Sequence, residues 1–120
     1  MHYIDNRARL RAGDLVLIDA GCEYQYYASD ITRTFPVNGR FSQAQKTIYN
    51  MVLKTQQKLI DLIKPGVAWD TLQKSCVRSL TEGLIDIGLL KGRLADLIRA
   101  KAYKKFYMHG CSHWLGLDVH

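Results

Sequence analysis

Residues 14–37 read DLVLIDAGCEYQYYASDITRTFPV, and this stretch decides the fold. Asp14 to Ala20 is a short apolar run, which predicts a strand covered on both faces. Cys22 to Tyr27 and Asp30 to Val37 are rich in Tyr, Ile, Thr and Phe, side chains that suit a pleated surface, so both read as further strands. Pro36 and Asn38-Gly39 supply the turn chemistry that ends this β region.

Downstream the period changes. Ser42 with Gln45 three residues later forms a capping box, the signature of a helix start. Ala44, Ile48, Met51, Val52, Thr55, Leu59 and Leu62 then recur at helical spacing, predicting a helix to about Ile63 that Pro65-Gly66 stops. A second helix carries Trp69, Leu72, Cys76, Leu80, Leu84 and Ile87 on one stripe, and a shorter one lies between Arg93 and Ala102. From Phe106 onward the pattern loses its period, with Gly110 and Gly116 as interruptions and a strand expected to begin at Leu117 to Val119. Strands, then helices, then a return to strand argue an α+β fold.

With 120 residues, 48% hydrophobic and 23% charged, the chain has the make-up of one small soluble domain. No run approaches the roughly 18 apolar residues of a membrane span, and MHYIDNRARL has no signal-peptide core. Cys22, Cys76 and Cys111 are odd in number and form no CxxC pair, which predicts a reducing compartment such as the cytoplasm. The net charge is +6. Its densest patch, Arg99, Lys101, Lys104 and Lys105 among Tyr103, Phe106 and Tyr107, reads as the solvated basic end of a helix rather than a nucleic-acid site.

Asp19 and Asp30 are awkward residues for a β region, because burying a carboxylate requires a partner or a metal. A hairpin turning at Tyr24 and Gln25 would set them directly opposite each other, about 5 Å apart at Cβ. Facing carboxylates repel, and a pair of divalent cations converts that cost into a binding site. Tyr-Gln, however, lacks the Asn-Gly signal of a tight hairpin. In the other reading Asp19 caps a turn before Gly21 and Asp30 caps the next strand; the two residues alone leave both open. His109, His113 and His120 crowd the C-terminal stretch MHGCSHWLGLDVH. HGCSH has the i, i+4 histidines of HExxH without its glutamate, and Cys111 finds no second cysteine to complete a zinc pattern. Three histidines in a glycine-punctuated segment, taken with the aspartates, favour metal or proton chemistry.

The runs GDLVLIDAGCEY, ASDITRTFPVNGRF and HGCSHWLGLDVH resemble the catalytic domain of the aminopeptidase P family, pita-bread metallopeptidases, and the resemblance extends from His2 to His120. It implies part of a pita-bread fold, an antiparallel sheet packed with helices. It also implies that Asp19 binds one metal ion, Asp30 bridges two and His113 binds the second. His120 would steady the substrate carbonyl and His2 would face the substrate. Enzymes of this family usually use manganese, and an O/N ligand set without thiolate suits Mn²⁺, Co²⁺ or Zn²⁺. The implied reaction is metal-assisted hydrolysis of peptides with proline in second position, by an enzyme expected to form a homo-oligomer. The family's two further glutamate ligands follow the histidine motif, whereas the only glutamates here are Glu23 and Glu82, in neither position. Residues 1–120 are thus expected to be the N-terminal portion of the catalytic domain, inactive alone, weak in metal binding and prone to self-association at open sheet edges. A binding module on the same fold and a prolidase-type dipeptidase are the rival readings. The first typically loses the ligand positions, and Ser112-His113-Trp114 favours aminopeptidase P over the second.

Overall fold

The computed structural model describes residues 3–119. It divides into two compact units, Met1–Lys46 with Trp114–His120, and Thr47–His113.

The first unit is organised by one long hairpin. Its strands are β1 (Leu15–Ala20), β2 (Glu23–Tyr24), β3 (Tyr27–Ala28) and β4 (Ile31–Pro36). β1 pairs antiparallel with β4, and β2 with β3 at the tip. Gln25 and Tyr26 both have positive φ, 49° and 69°. They form the two-residue turn whose left-handed backbone matches the twist of paired strands, here without glycine or asparagine. The turn therefore lies one residue later than the sequence predicts, and Asp19 faces Thr32 rather than Asp30.

The observed register suits Pro36. Val37 N donates to Asp14 O at 3.0 Å, which makes 14 and 37 a bonded pair. Pro36 opposite Leu15 then falls at a non-bonded position, where a missing N–H costs nothing. The same register runs from Leu15 to the tip, but the ladder changes character at Cys22 and Ser29. Ser29 N donates to Cys22 O at 2.8 Å. Cys22 N donates instead to the Ser29 hydroxyl, at 2.9 Å. Beside this break, a Cβ on Gly21 would sit 1.9 Å from the Ser29 carbonyl oxygen. Only glycine fits there.

β1 is not the covered strand that its apolar run predicts: of its six residues, Val16 is half-buried and the rest are exposed. Among the described residues of this unit, the two-stranded sheet has no third strand to shelter it and no helix packs on either face. The strand expected at Leu117 to Val119 is also absent. Gly116 N donates to Asp118 O at 3.1 Å, a local bend that extended backbone would forbid. The Gly116 carbonyl nonetheless reaches the hairpin, accepting from Ala28 N at 2.8 Å.

The capping box forms as predicted. Ser42 N donates to Gln45 Oε1 at 2.9 Å, and Gln45 N to Ser42 Oγ at 3.3 Å. It opens α1 (Gln43–Leu62). In the second unit α2 (Trp69–Asp86) supplies most of the core: Leu72, Cys76, Val77, Leu80, Thr81 and Leu84 are buried. Trp69, at the head of the predicted stripe, is exposed, as are Ile48 and Val52 on α1. α1 packs tightly against α2 at Gly83, where a Cβ would lie 2.2 Å from Met51 Sδ. The buried threonines satisfy themselves: Thr55 donates to Met51 O at 2.9 Å and Thr81 to Val77 O at 2.6 Å. α3 (Leu94–Arg99) stops short of Ala102 because Lys101 adopts a left-handed conformation, after which Ala102–Lys105 form one 3₁₀ turn. Among the described residues no helix is long and apolar enough to cross a membrane.

Cys76 Sγ lies 3.5 Å from the Tyr107 hydroxyl. Burial pushes the Cys76 thiol above its ordinary range, against a smaller opposing pull from that hydrogen bond. A thiol kept protonated in the folded state contributes stability that is complete below the unfolded pKa of about 8.5 and is lost as pH rises through the folded value. Urea unfolding followed from pH 7 to 10.5 should show stability falling above about 8.5, with a shallower fall in Cys76→Val. An equal slope in the two proteins would contradict this account. For the hairpin, Gly21→Ala should force the chain apart at Ser29 and speed exchange of the Ser29 amide by about tenfold or more, the scale of one lost hydrogen bond. Unchanged protection in hydrogen-exchange NMR would show that the close approach is not limiting.

Candidate metal centre

Alternation along the hairpin sorts its side chains onto two faces. Val16, Ile18 and Ala20 share one face with Ile31, Arg33 and Phe35, their cross-strand partners. A shallow concavity on this side is lined by Ile18, Ala20, Cys22, Ile31 and Phe35 among others. Leu15, Leu17 and Asp19 share the other face with Thr32, Thr34 and Pro36. Extending the register by one pair sets Asp30 opposite Gly21, and thus on the same face as Asp19. The two carboxylates are diagonal neighbours, a relation that separates residues by about 7–8 Å, not the direct partners that the sequence predicts.

This offset changes the chemistry in a useful direction. Direct opposition would press two charges together; the diagonal leaves a gap that a cation can enter while oxygens from both strands reach it. Asp19 is exposed and Asp30 half-buried, just before β4 begins. Asp19 and Thr32 form a non-bonded pair, the kind whose side chains stand closest. The Thr32 hydroxyl uses that proximity to donate to Asp19 Oδ1 at 3.1 Å. One carboxylate oxygen is thereby oriented from across the ladder while the other remains for a further contact. Sequence reasoning did not single out Thr32, although its parity with Asp30 in DITRT places it on the aspartate face. Gly21 and Ser29 were missed too, because their role lies in a backbone distance that no pattern displays.

His113 belongs to the second unit, as does His109, and both are exposed. They sit on irregular backbone beyond the 3₁₀ turn. Cys111 N, between them, donates to Gln73 Oε1 of α2 at 2.9 Å. His2 and His120 lie outside the described residues. Among the described residues, neither unit by itself gathers three His, Cys, Asp or Glu side chains into a metal-sized cluster. The hairpin carries two carboxylates on one face, and the second unit carries the two exposed imidazoles.

Known proteins carry the same arrangement of sequence. The chain is 56% identical to the Xaa-Pro aminopeptidase of Haemophilus influenzae, over all of this chain and 28% of that protein. To the Xaa-Pro aminopeptidase of Escherichia coli it is 52% identical, over all of this chain and 27% of the relative. It therefore spans under a third of these relatives' length. Among solved structures, zinc-substituted E. coli aminopeptidase P in complex with product superposes with a TM-score of 0.96 at 52% identity, covering 100% of this chain and 27% of that one. Pseudomonas aeruginosa aminopeptidase PepP gives 0.97 at 54% identity with the same coverage. The α+β architecture is accordingly that of the pita-bread fold. All of residues 1–120 match metallopeptidase family M24, and the chain belongs to that family.

Proposed function

We propose that Asp19, Asp30 and His113 are metal ligands of an Xaa-Pro aminopeptidase, an enzyme that hydrolyses the bond between an N-terminal residue and a following proline. The observation that carries this reading is the placement of both aspartates on one face of one hairpin, with Thr32 hydrogen-bonded to the first. On this reading residues 1–120 form the N-terminal portion of the catalytic domain, and the substrates are peptides with proline in second position.

The donor set fits the cofactor. Two carboxylates and an imidazole, with no thiolate, suit a borderline-to-hard divalent ion, and Mn²⁺ is the ion proposed. Two such ions supply Lewis acidity toward the peptide carbonyl and lower the pKa of the attacking water. Asp30, nearer the hairpin tip, serves both ions; Asp19 serves one. Thr32 fixes the rotamer of Asp19, so that less freedom is lost when the carboxylate binds. His113 contributes a nitrogen lone pair of its imidazole ring. His120 steadies the substrate carbonyl and His2 faces the substrate. Three cysteines, all free among the described residues, suit a reducing compartment, the cytoplasm. The open edges of β1 and β4 favour self-association, in line with a homo-oligomeric enzyme.

Two measurements test this. In calorimetry the 120-residue chain should bind Mn²⁺ weakly, Asp30→Asn should abolish the heat, and Thr32→Val should lower affinity by about tenfold, the lower range for a residue that orients a ligand. Tight two-site binding, or binding indifferent to Asp30, would count against the ligand set. For the reaction, this chain should be exchanged for the matching segment of E. coli aminopeptidase P. The chimera should release the first residue of an Xaa-Pro tripeptide and lose that activity in Asp30→Asn. Cleavage of dipeptides alone would point to a prolidase, and a folded chimera that takes no Xaa-Pro peptide would favour the binding module.

A further inference from the structure

The stretch 107–113 carries His109 and His113, yet it contains neither helix nor strand. Its backbone needs partners from elsewhere, and α2 provides them. Gln73 Oε1 accepts the Cys111 amide at 2.9 Å in a part-buried setting. One turn further along the same helix, Cys76 Sγ donates to the Tyr107 hydroxyl at 3.5 Å. Tyr107 is further anchored by its own amide, which donates to Tyr103 O at 2.8 Å.

We propose that Gln73 is a positioning residue: its carboxamide oxygen holds the Cys111 amide against α2 and so sets the backbone from which His113 projects. The proposal rests on the reading of His113 as a metal ligand. A carboxamide suits the task because its oxygen is a ready acceptor for a backbone N–H. An irregular ligand-bearing loop gains precision only when such side-chain bonds replace a ladder. Gln73 and Cys76 lie on the core-facing side of a helix whose neighbours Leu72, Val77 and Leu80 are buried, so the clamp has a rigid base.

The test compares Gln73→Leu, which removes the hydrogen bond at similar size, with Gln73→Glu, which keeps the acceptor for Cys111. In the metal-free 120-residue chain, Gln73→Leu should speed Cys111 amide exchange about tenfold, as expected for one lost hydrogen bond, and shift the His113 ring signals. Added Mn²⁺ should broaden the His113 ring at several-fold higher concentration than in the unsubstituted chain. Gln73→Glu should restore the exchange rate, ring shifts and Mn²⁺ dependence. A purely structural role would lower the melting temperature without moving the His113 signals, and that result overturns the proposal. So does loss of Cys111 protection with His113 unaffected. If the unsubstituted chain shows no Mn²⁺ effect at His113, the metal reading fails. Gln73 is then judged on exchange and ring shifts alone, which support or overturn the clamp without any metal.

Discussion

The arrangement of like charge on the hairpin governs the rest of the first unit. Two carboxylates on one face of a narrow sheet repel by about 1–2 kcal/mol at roughly 7 Å, depending on solvent screening. Nothing in strand propensity favours such a pair. The hairpin accommodates it by setting Asp19 and Asp30 diagonal to each other and by placing the Thr32 hydroxyl against Asp19. Gly21 then follows as a necessity. It fills the position opposite Asp30, where strands approach closely and where the Ser29 carbonyl leaves no room for a Cβ. Charge, register and glycine form one solution.

The second unit solves a different problem, which is to support an irregular segment. α2 carries nearly all of the buried apolar side chains and also the polar groups that hold residues 107–111. Its buried polar residue Thr81 satisfies its hydroxyl on its own helix, as Thr55 does on α1. Neither hydroxyl is available to specify how the helices meet. Shape does that instead, with Met51 seated against the bare backbone of Gly83. Polar specificity is kept for the histidine segment, where direction matters more than area.

Much of this was legible in the sequence because it rests on local rules. Period and capping located α1 and α2, and the capping box forms with the two hydrogen bonds that its residues predict. The aspartates stood out because a carboxylate in a strand requires an explanation. What escaped was what depends on non-local geometry. The turn lies at Gln25-Tyr26 rather than Tyr24-Gln25, since nothing in that stretch marks which residues will take positive φ. The apolar run of β1 predicts cover, whereas the strand lies exposed in this chain. Leu117 to Val119 had the composition of a strand, but a hydrogen bond between Gly116 and Asp118 bends the backbone first. Thr32 was marked only by its parity with Asp30, and Gln73 by nothing local; each matters through a partner thirteen or more residues away.

The turn of Gln25 and Tyr26 constrains how such a sequence can change over time. Surface turns ordinarily absorb insertions and deletions without penalty. Here the strands on either side carry one aspartate each, and the side-chain period is two. Adding or removing a single residue at the tip, with the paired strands re-forming one step out of register, would turn one carboxylate to the opposite face. On the proposed ligand set, the eleven-residue interval from Asp19 to Asp30 is thus sensitive to single-residue length change, although its tip is exposed. Substitution at Tyr24 and Tyr27 is open by comparison, since both side chains face solvent. Length, rather than composition, is what descent must preserve there.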